Sequence, residues 1–247
     1  MQPRRPRKKR GGAKRVRTPW VPIIIVGIGA IAVVLAVVLG SALLRGGSTP
    51  KATPGPTHAA PQKGATVGRD DAPVTMVEYY RFDCPHCEDF ALQVGPRLEQ
   101  EYVDTGKLRI EFRPLATDGD VLQASEAAAC AGDQGRYWEY YDLVFANSAR
   151  GFGEGNLKEY ARDLGLDTGA FDACLDDGKH KEEIVNATQK AFQAGVTSWP
   201  RFFIGKTSEM DLSKVTYPSQ TQLDGVDPAN PYNPFKTAVE DVLKKAQ

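Results

Sequence analysis

An α/β fold with an inserted helical subdomain, preceded by one membrane-spanning helix, is what this chain of 247 residues predicts. Three observations carry that expectation. Strand and helix periodicities follow in the order strand, helix, strand, helical block, strand, weak hairpin, helix. A Cys-x-x-Cys, Cys84-Pro85-His86-Cys87, stands where the first strand meets the first helix. An uncharged, mostly apolar run covers residues 20–44, long enough to cross a hydrocarbon core that needs about 20 helical residues.

Taken in order, residues 1–19 form a basic tail, with nine Lys/Arg and no acid in residues 1–17. The run 20–44 then reads as a signal-anchor helix, with Pro22 in its first turn, where a missing N–H costs little. A cleaved signal peptide is the competing reading, through Gly40-Ser41-Ala42, but signal cores run only about 7–15 residues. The charge bias places the N-terminus in the cytoplasm and the rest of the chain outside a cell membrane crossed once. From Gly46 onward 21 basic residues face 31 acidic ones, a net of −10. That balance argues against nucleic-acid binding, which needs Lys/Arg on the binding face.

Residues 45–65 read as a flexible linker. Four Pro and four Gly fall in 46–64 with little to bury, and fully extended this stretch would reach about 60 Å. The folded domain is expected over 66–247. Val74–Phe82 is β-branched and aromatic and reads as a strand. Phe90, Val94, Leu98 and Tyr102 form one helical stripe, with Gly95-Pro96 predicting a kink and Gly106 the end. Lys107–Arg113 alternates as a second strand. Helices are expected at 121–131, 137–147, 156–164, 168–176 and 179–193, within an insertion of about 115–195. A third strand at 201–204, weak strand signals at 215–217 and 221–223, and a last helix at 235–245 complete the chain.

The chemistry concentrates at Cys84–Cys87. A cysteine opening a helix sits among unpaired N–H groups and at the positive end of the dipole, which favours thiolate. His86 adds a positive charge when protonated, and Pro85 helps fix the turn. Cys84 is therefore the expected nucleophile and Cys87 the resolving partner. Half a zinc site and an inert bridge are the alternatives. Zinc needs four ligands, and Cys130 and Cys174 lack paired spacing; a two-residue loop is a poor staple and a good redox centre. Tyr137, Trp138, Tyr141 and Phe145 read as a core stripe. His58 and His180 show no obvious metal partner, and Asp118-Gly-Asp120 lacks the rest of a calcium loop. Hydrolase and nucleotide-binding motifs are absent from the sequence.

The stretch 67–90 (VGRDDAPVTMVEYYRFDCPHCEDF), together with 195–205 (GVTSWPRFFIG), resembles the DsbA-like branch of the thioredoxin superfamily over roughly residues 66–247. That resemblance implies a thioredoxin-like sheet of four or five strands, with the redox loop at its rim and a helical insertion between strands. By position, Pro200 resembles the cis-proline facing the redox pair; cis bonds are uncommon, so the residues alone read as an ordinary trans turn and the cis form is what the resemblance implies. Glu78 looks like the buried acid beneath the active site. Alternation places it on one strand face with Met76 and Tyr80 without saying which face is covered, so an exposed glutamate stays open. Trp199 departs from the Thr or Val usual before that proline and touches on redox tuning and substrate binding.

With 84 and 87 paired locally, Cys130 and Cys174 remain, and some DsbA-like relatives carry a structural bridge in this subdomain. A second redox pair is the alternative. The implied activity is oxidation of newly exported, cysteine-containing proteins without an organic cofactor or metal. Reoxidation would come from a quinone-linked membrane partner of the DsbB or vitamin K epoxide reductase type. A reductase or isomerase of the same fold, or a redox-inert chaperone or copper-binding module, are the other readings. The bilayer itself is a partner through residues 20–44.

Overall fold

The central strand β3 (Val74–Tyr80) is buried along its whole length, because it is covered on both faces. The structure, a computed structural model, describes residues 58–217 and 219–246. Residues 20–44, and the anchor expected there, lie outside the described residues, among which no helix is long and apolar enough to cross a membrane.

The described residues hold a six-stranded sheet in the order β1-β2-β4-β3-β5-β6. Here β1 is Gln62–Lys63, β2 Thr66–Val67, β4 Leu108–Pro114, β5 Arg201–Lys206 and β6 Thr221–Asp224. Strand β4 runs parallel to β3 and β5 antiparallel, so Glu78 faces Phe112 on one side and Phe202 on the other. The implied count of four or five strands is corrected to six by β1 and β2. These lie within and just after the stretch read as linker. The packed chain therefore begins by His58, not Thr66: Val67 is fully buried, and Gly68 passes so near Leu108 that a Cβ there would lie 2.7 Å from its carbonyl oxygen.

The first helical stretch carries the expected stripe, with Phe90, Val94, Leu98 and Tyr102 all buried. The kink expected at Gly95-Pro96 takes the form of widened turns. Helix α1 (Pro85–Asp89) and α2 (Gly95–Leu98) alternate with π-helical turns at Phe90–Val94 and Glu99–Val103. Pro96 has no N–H to continue the α ladder, and the Gly95 N–H reaches back to the Phe90 carbonyl instead. Gly106, at φ +70°, closes the stretch.

The insertion consists of α3 (Gly119–Asp133), α4 (Tyr137–Ala146), α5 (Glu154–Asp163), α6 (Thr168–Asp176) and α7 (Lys181–Gln193). Helix α8 (Asn233–Ala246) packs Phe235 against Phe90 and Phe202, closing the main core over β5. The weak signal at 215–217 is no strand. Val215 lies in a loop whose carbonyl accepts a hydrogen bond from Tyr79, and Tyr217 packs beneath Phe203.

Candidate active site

Strand β3 delivers the chain through Phe82 into Cys84, which caps α1 in an extended conformation. Its sulfur accepts the Cys87 backbone N–H at 3.3 Å. Both sulfurs are free, and both residues are buried, Cys84 with 7% exposure and Cys87 with none. The Cys84 thiol is lowered to about 7 by a hydrogen bond from the Cys87 thiol, by the N–H groups of Cys87 and His86, and by the His86 ring, all opposing burial. Burial and the Cys84 sulfur push Cys87 far above the ordinary thiol range. One residue is thus made to ionise and the other to keep its proton. Pro85 occupies the first helical turn, and the His86 ring lies 3.4 Å from Asp89.

Opposite this loop, the peptide bond Trp199-Pro200 is cis. The Trp199 carbonyl lies 3.7 Å from the Cys84 sulfur, in position to accept from its S–H. The indole is 37% exposed, and the Arg81 guanidinium sits 5.1 Å from its centroid. Arg81 is itself held by a bidentate pair with Asp83. A large, partly wet ring and a cation thus flank the reactive sulfur.

Glu78 is wholly buried in the main core beneath this loop, on the face of β3 shared with Met76 and Tyr80. No position on β3 could have left it exposed, since Val77 and Tyr79 line a second core on the opposite face. The Tyr141 hydroxyl donates to its two oxygens, at 3.0 and 3.2 Å. Burial drives the Glu78 carboxyl well above its ordinary range; the Tyr141 hydrogen bond opposes this, and the charges of Asp142 and Cys84 add to it. Any negative charge on Glu78 would in turn raise Cys87.

Cys130 and Cys174 are joined, S–S 1.99 Å, tying α3 to α6. His180 approaches them so that the three potential ligand atoms lie within 4.8 Å of one another, but both sulfurs are spent in the bridge. His180 is instead paired with Asp133 at 2.9 Å. A cavity of about 630 Å³ lined by Tyr79, Arg113, Tyr137, His180 and Lys190 includes neither redox cysteine in its walls.

Sequence reading did not single out three neighbours of the site. Tyr141 reads as one more residue of an apolar stripe, and Arg81 carries no signal of its own in the sequence. His58 was placed in the linker, yet its side chain is fully buried between two carboxylates. Only a lone histidine in a polar, Pro-rich stretch was available as a signal.

Known proteins align with this architecture. The chain is 34% identical over 147 residues to a Na(+)/H(+) antiporter NhaA 1 of Salinispora arenicola, covering 58% of this chain and 22% of that one. It is 28% identical over 148 residues to a probable disulfide bond formation protein D of Bacillus anthracis, covering 56% and 68% respectively. The chain thus spans about a fifth of the first relative and about two thirds of the second. Among solved structures, Wolbachia pipientis alpha-DsbA1 superposes with a TM-score of 0.61 at 27% identity, over 77% of this chain and 94% of that one. The Bacillus subtilis protein BdbD superposes at 0.58 with 17% identity, over 76% and 100%, a likeness of fold. A family profile described as thioredoxin matches residues 61–215, a stretch that runs from β1 through the redox loop and the helical insertion to β5 and beyond. By that match the chain belongs to the thioredoxin family.

Proposed function

We propose that the protein is a DsbA-type thiol:disulfide oxidoreductase that donates a Cys84–Cys87 disulfide to exported proteins outside the cell membrane. The observation that carries this reading is the asymmetry of the pair: Cys84 lowered to about 7 at a helix N-terminus, Cys87 buried and raised. An ionised Cys84 stabilises the reduced form, and a stabilised reduced form makes the disulfide a stronger oxidant. The name of the Bacillus anthracis relative and the likeness to alpha-DsbA1 point the same way.

In the forward step a substrate thiolate attacks the Cys84 sulfur. The Cys84–Cys87 bond breaks, a mixed disulfide forms, and Cys87 leaves with the electron pair. Cys87 is a poor thiolate and must take a proton, and Glu78, held protonated by burial, supplies it. A second substrate thiolate then attacks the substrate sulfur of the mixed disulfide. Cys84 leaves as a thiolate, and the substrate keeps the new disulfide. The enzyme has gained two electrons, which a quinone-linked membrane oxidase removes. No organic cofactor or metal enters the cycle. Pro200 and Trp199 line the approach to Cys84, and Cys130–Cys174 staples the insertion. Residues 20–44 anchor the chain, with residues 1–19 in the cytoplasm.

The test is the equilibrium reduction potential of the Cys84–Cys87 pair in the full chain, poised against glutathione. A value near about −120 mV, as for DsbA, makes the protein a disulfide donor; one near about −270 mV, as for thioredoxin, overturns that direction and leaves a reductase. Cys84→Ser should abolish thiol oxidation altogether. If it does not, the redox reading itself fails.

A further inference from the structure

The N-terminal segment enters the fold through a side chain that the redox chemistry above does not use. His58 is stacked on Trp138, with ring centroids 4.0 Å apart and planes 4° from parallel. Its Nε2 lies 2.8 Å from Asp142 Oδ2 and its Nδ1 2.8 Å from Glu99 Oε1. Gln62 fixes the same helix four residues further along the segment: its amide donates to Glu139 at 2.6 Å, and its oxygen accepts the Trp138 N–H at 2.9 Å. The segment 58–62 is thus a strap across α4, and the next turn of that helix carries Tyr141, whose hydroxyl donates to Glu78, followed by Asp142.

The charges facing this strap are unequal. Glu139 has its own cation, Arg136, at 2.9 Å. Glu99, from the π turn, lies at the rim with an 11% exposed side chain. Asp142 is buried, and among the described residues its only ion-pair partner is His58. Burial raises Asp142 to about 6, with His58 opposing and Glu99 and Glu139 adding to the rise. The two carboxylates raise His58 against its own burial. The pairing thus favours the cationic form of His58 and the anionic form of Asp142, and the charge of Asp142 joins burial and the charge of Cys84 in raising Glu78.

We propose that His58 is a positioning residue for the redox centre: by keeping Asp142 ionised it maintains the proton on Glu78 that the departing Cys87 sulfur requires. The proposal rests on the redox reading above. Without the imidazolium, Asp142 is raised further, its negative charge at Glu78 diminishes, and Glu78 gives up its proton at lower pH.

The experiment measures, in the full chain, the rate at which a small thiol opens the Cys84–Cys87 disulfide as a function of pH. His58→Gln, Asp142→Asn and the double variant are compared with the unaltered protein. Glu78 acts as an acid, so its loss appears as a fall in rate on the alkaline side. His58→Gln and Asp142→Asn should both move that fall to lower pH, and by similar amounts, because each removes the same negative charge. The double variant should match Asp142→Asn, because His58 acts only through Asp142. Unchanged profiles, or single effects that simply multiply in the double variant, would overturn the proposal. Should His58→Gln not fold, carbon NMR titration of Asp142 in the unaltered protein decides. Ionisation near 6 supports the inference, and an Asp142 still protonated at neutral pH ends it. If the unaltered protein opens no disulfide at all, the redox reading fails instead, which is a separate outcome.

Discussion

At Cys84 the sulfur accepts a backbone N–H, takes a hydrogen bond from its partner thiol and lies beside an imidazole, and these influences outweigh burial. Replacing His86 by Ala removes one of them. The midpoint of the thiolate absorbance in the reduced protein should then lie closer to the ordinary thiol value than it does with His86 in place. Glu78 offers a second residue-scale test with the opposite sign to the strap variants. The Tyr141 hydroxyl favours the Glu78 carboxylate, so Tyr141→Phe should raise Glu78 further. A hydrogen bond to a charged group is worth about 1.5–3 kcal/mol, or roughly one to two pH units. The alkaline fall in disulfide opening should therefore move to higher pH, and a downward shift would mean that Tyr141 does not govern that proton.

Among the elements, the strap and the disulfide hold the insertion in different ways. His58 is raised in the folded state, so its contribution to stability is fully present below about 6.5 and is lost as pH rises through its folded value. Amides of β1 and β2 should exchange faster in mildly alkaline than in mildly acidic buffer by more than the intrinsic rate predicts, and His58→Gln should remove the excess. The bridge closes a loop of 44 residues, and Cys130→Ser with Cys174→Ser should cost about 4 kcal/mol in denaturant titration. The Cys84 midpoint should stay where it was. The long helices of the insertion were legible because their apolar stripes and glycine stops agree. The pairing of β1 and β2 was not, since two-residue strands carry no period and owe their shape to the edge of β4. Glu78 was legible as a position but not as a buried one: alternation distinguishes faces only when one is wet, and β3 has none. His58 escaped because its burial depends on Asp142 and Glu99, 84 and 41 positions away in the chain.

For the whole molecule, the charge asymmetry belongs to the proposed topology. Nine basic residues precede the apolar run, and the body after it carries a net of −10. Such a body is repelled by anionic headgroups within a Debye length of about 8 Å at physiological salt. An alkaline wash of membranes should leave the full chain in the pellet, and deletion of residues 20–44 should release it. Recovery of the intact chain in the wash would refute the anchor. The docking of His58 then has a consequence for distance. On that topology the leash comprises only residues 45–57, because the chain is clamped to α4 from residue 58. Thirteen residues span at most about 40 Å as polyproline, against about 60 Å for the longer linker that composition suggests. The strap therefore sets a working radius. If the proposed anchor and activity hold, a reoxidising partner or a client would have to meet the domain within the reach of that shorter tether.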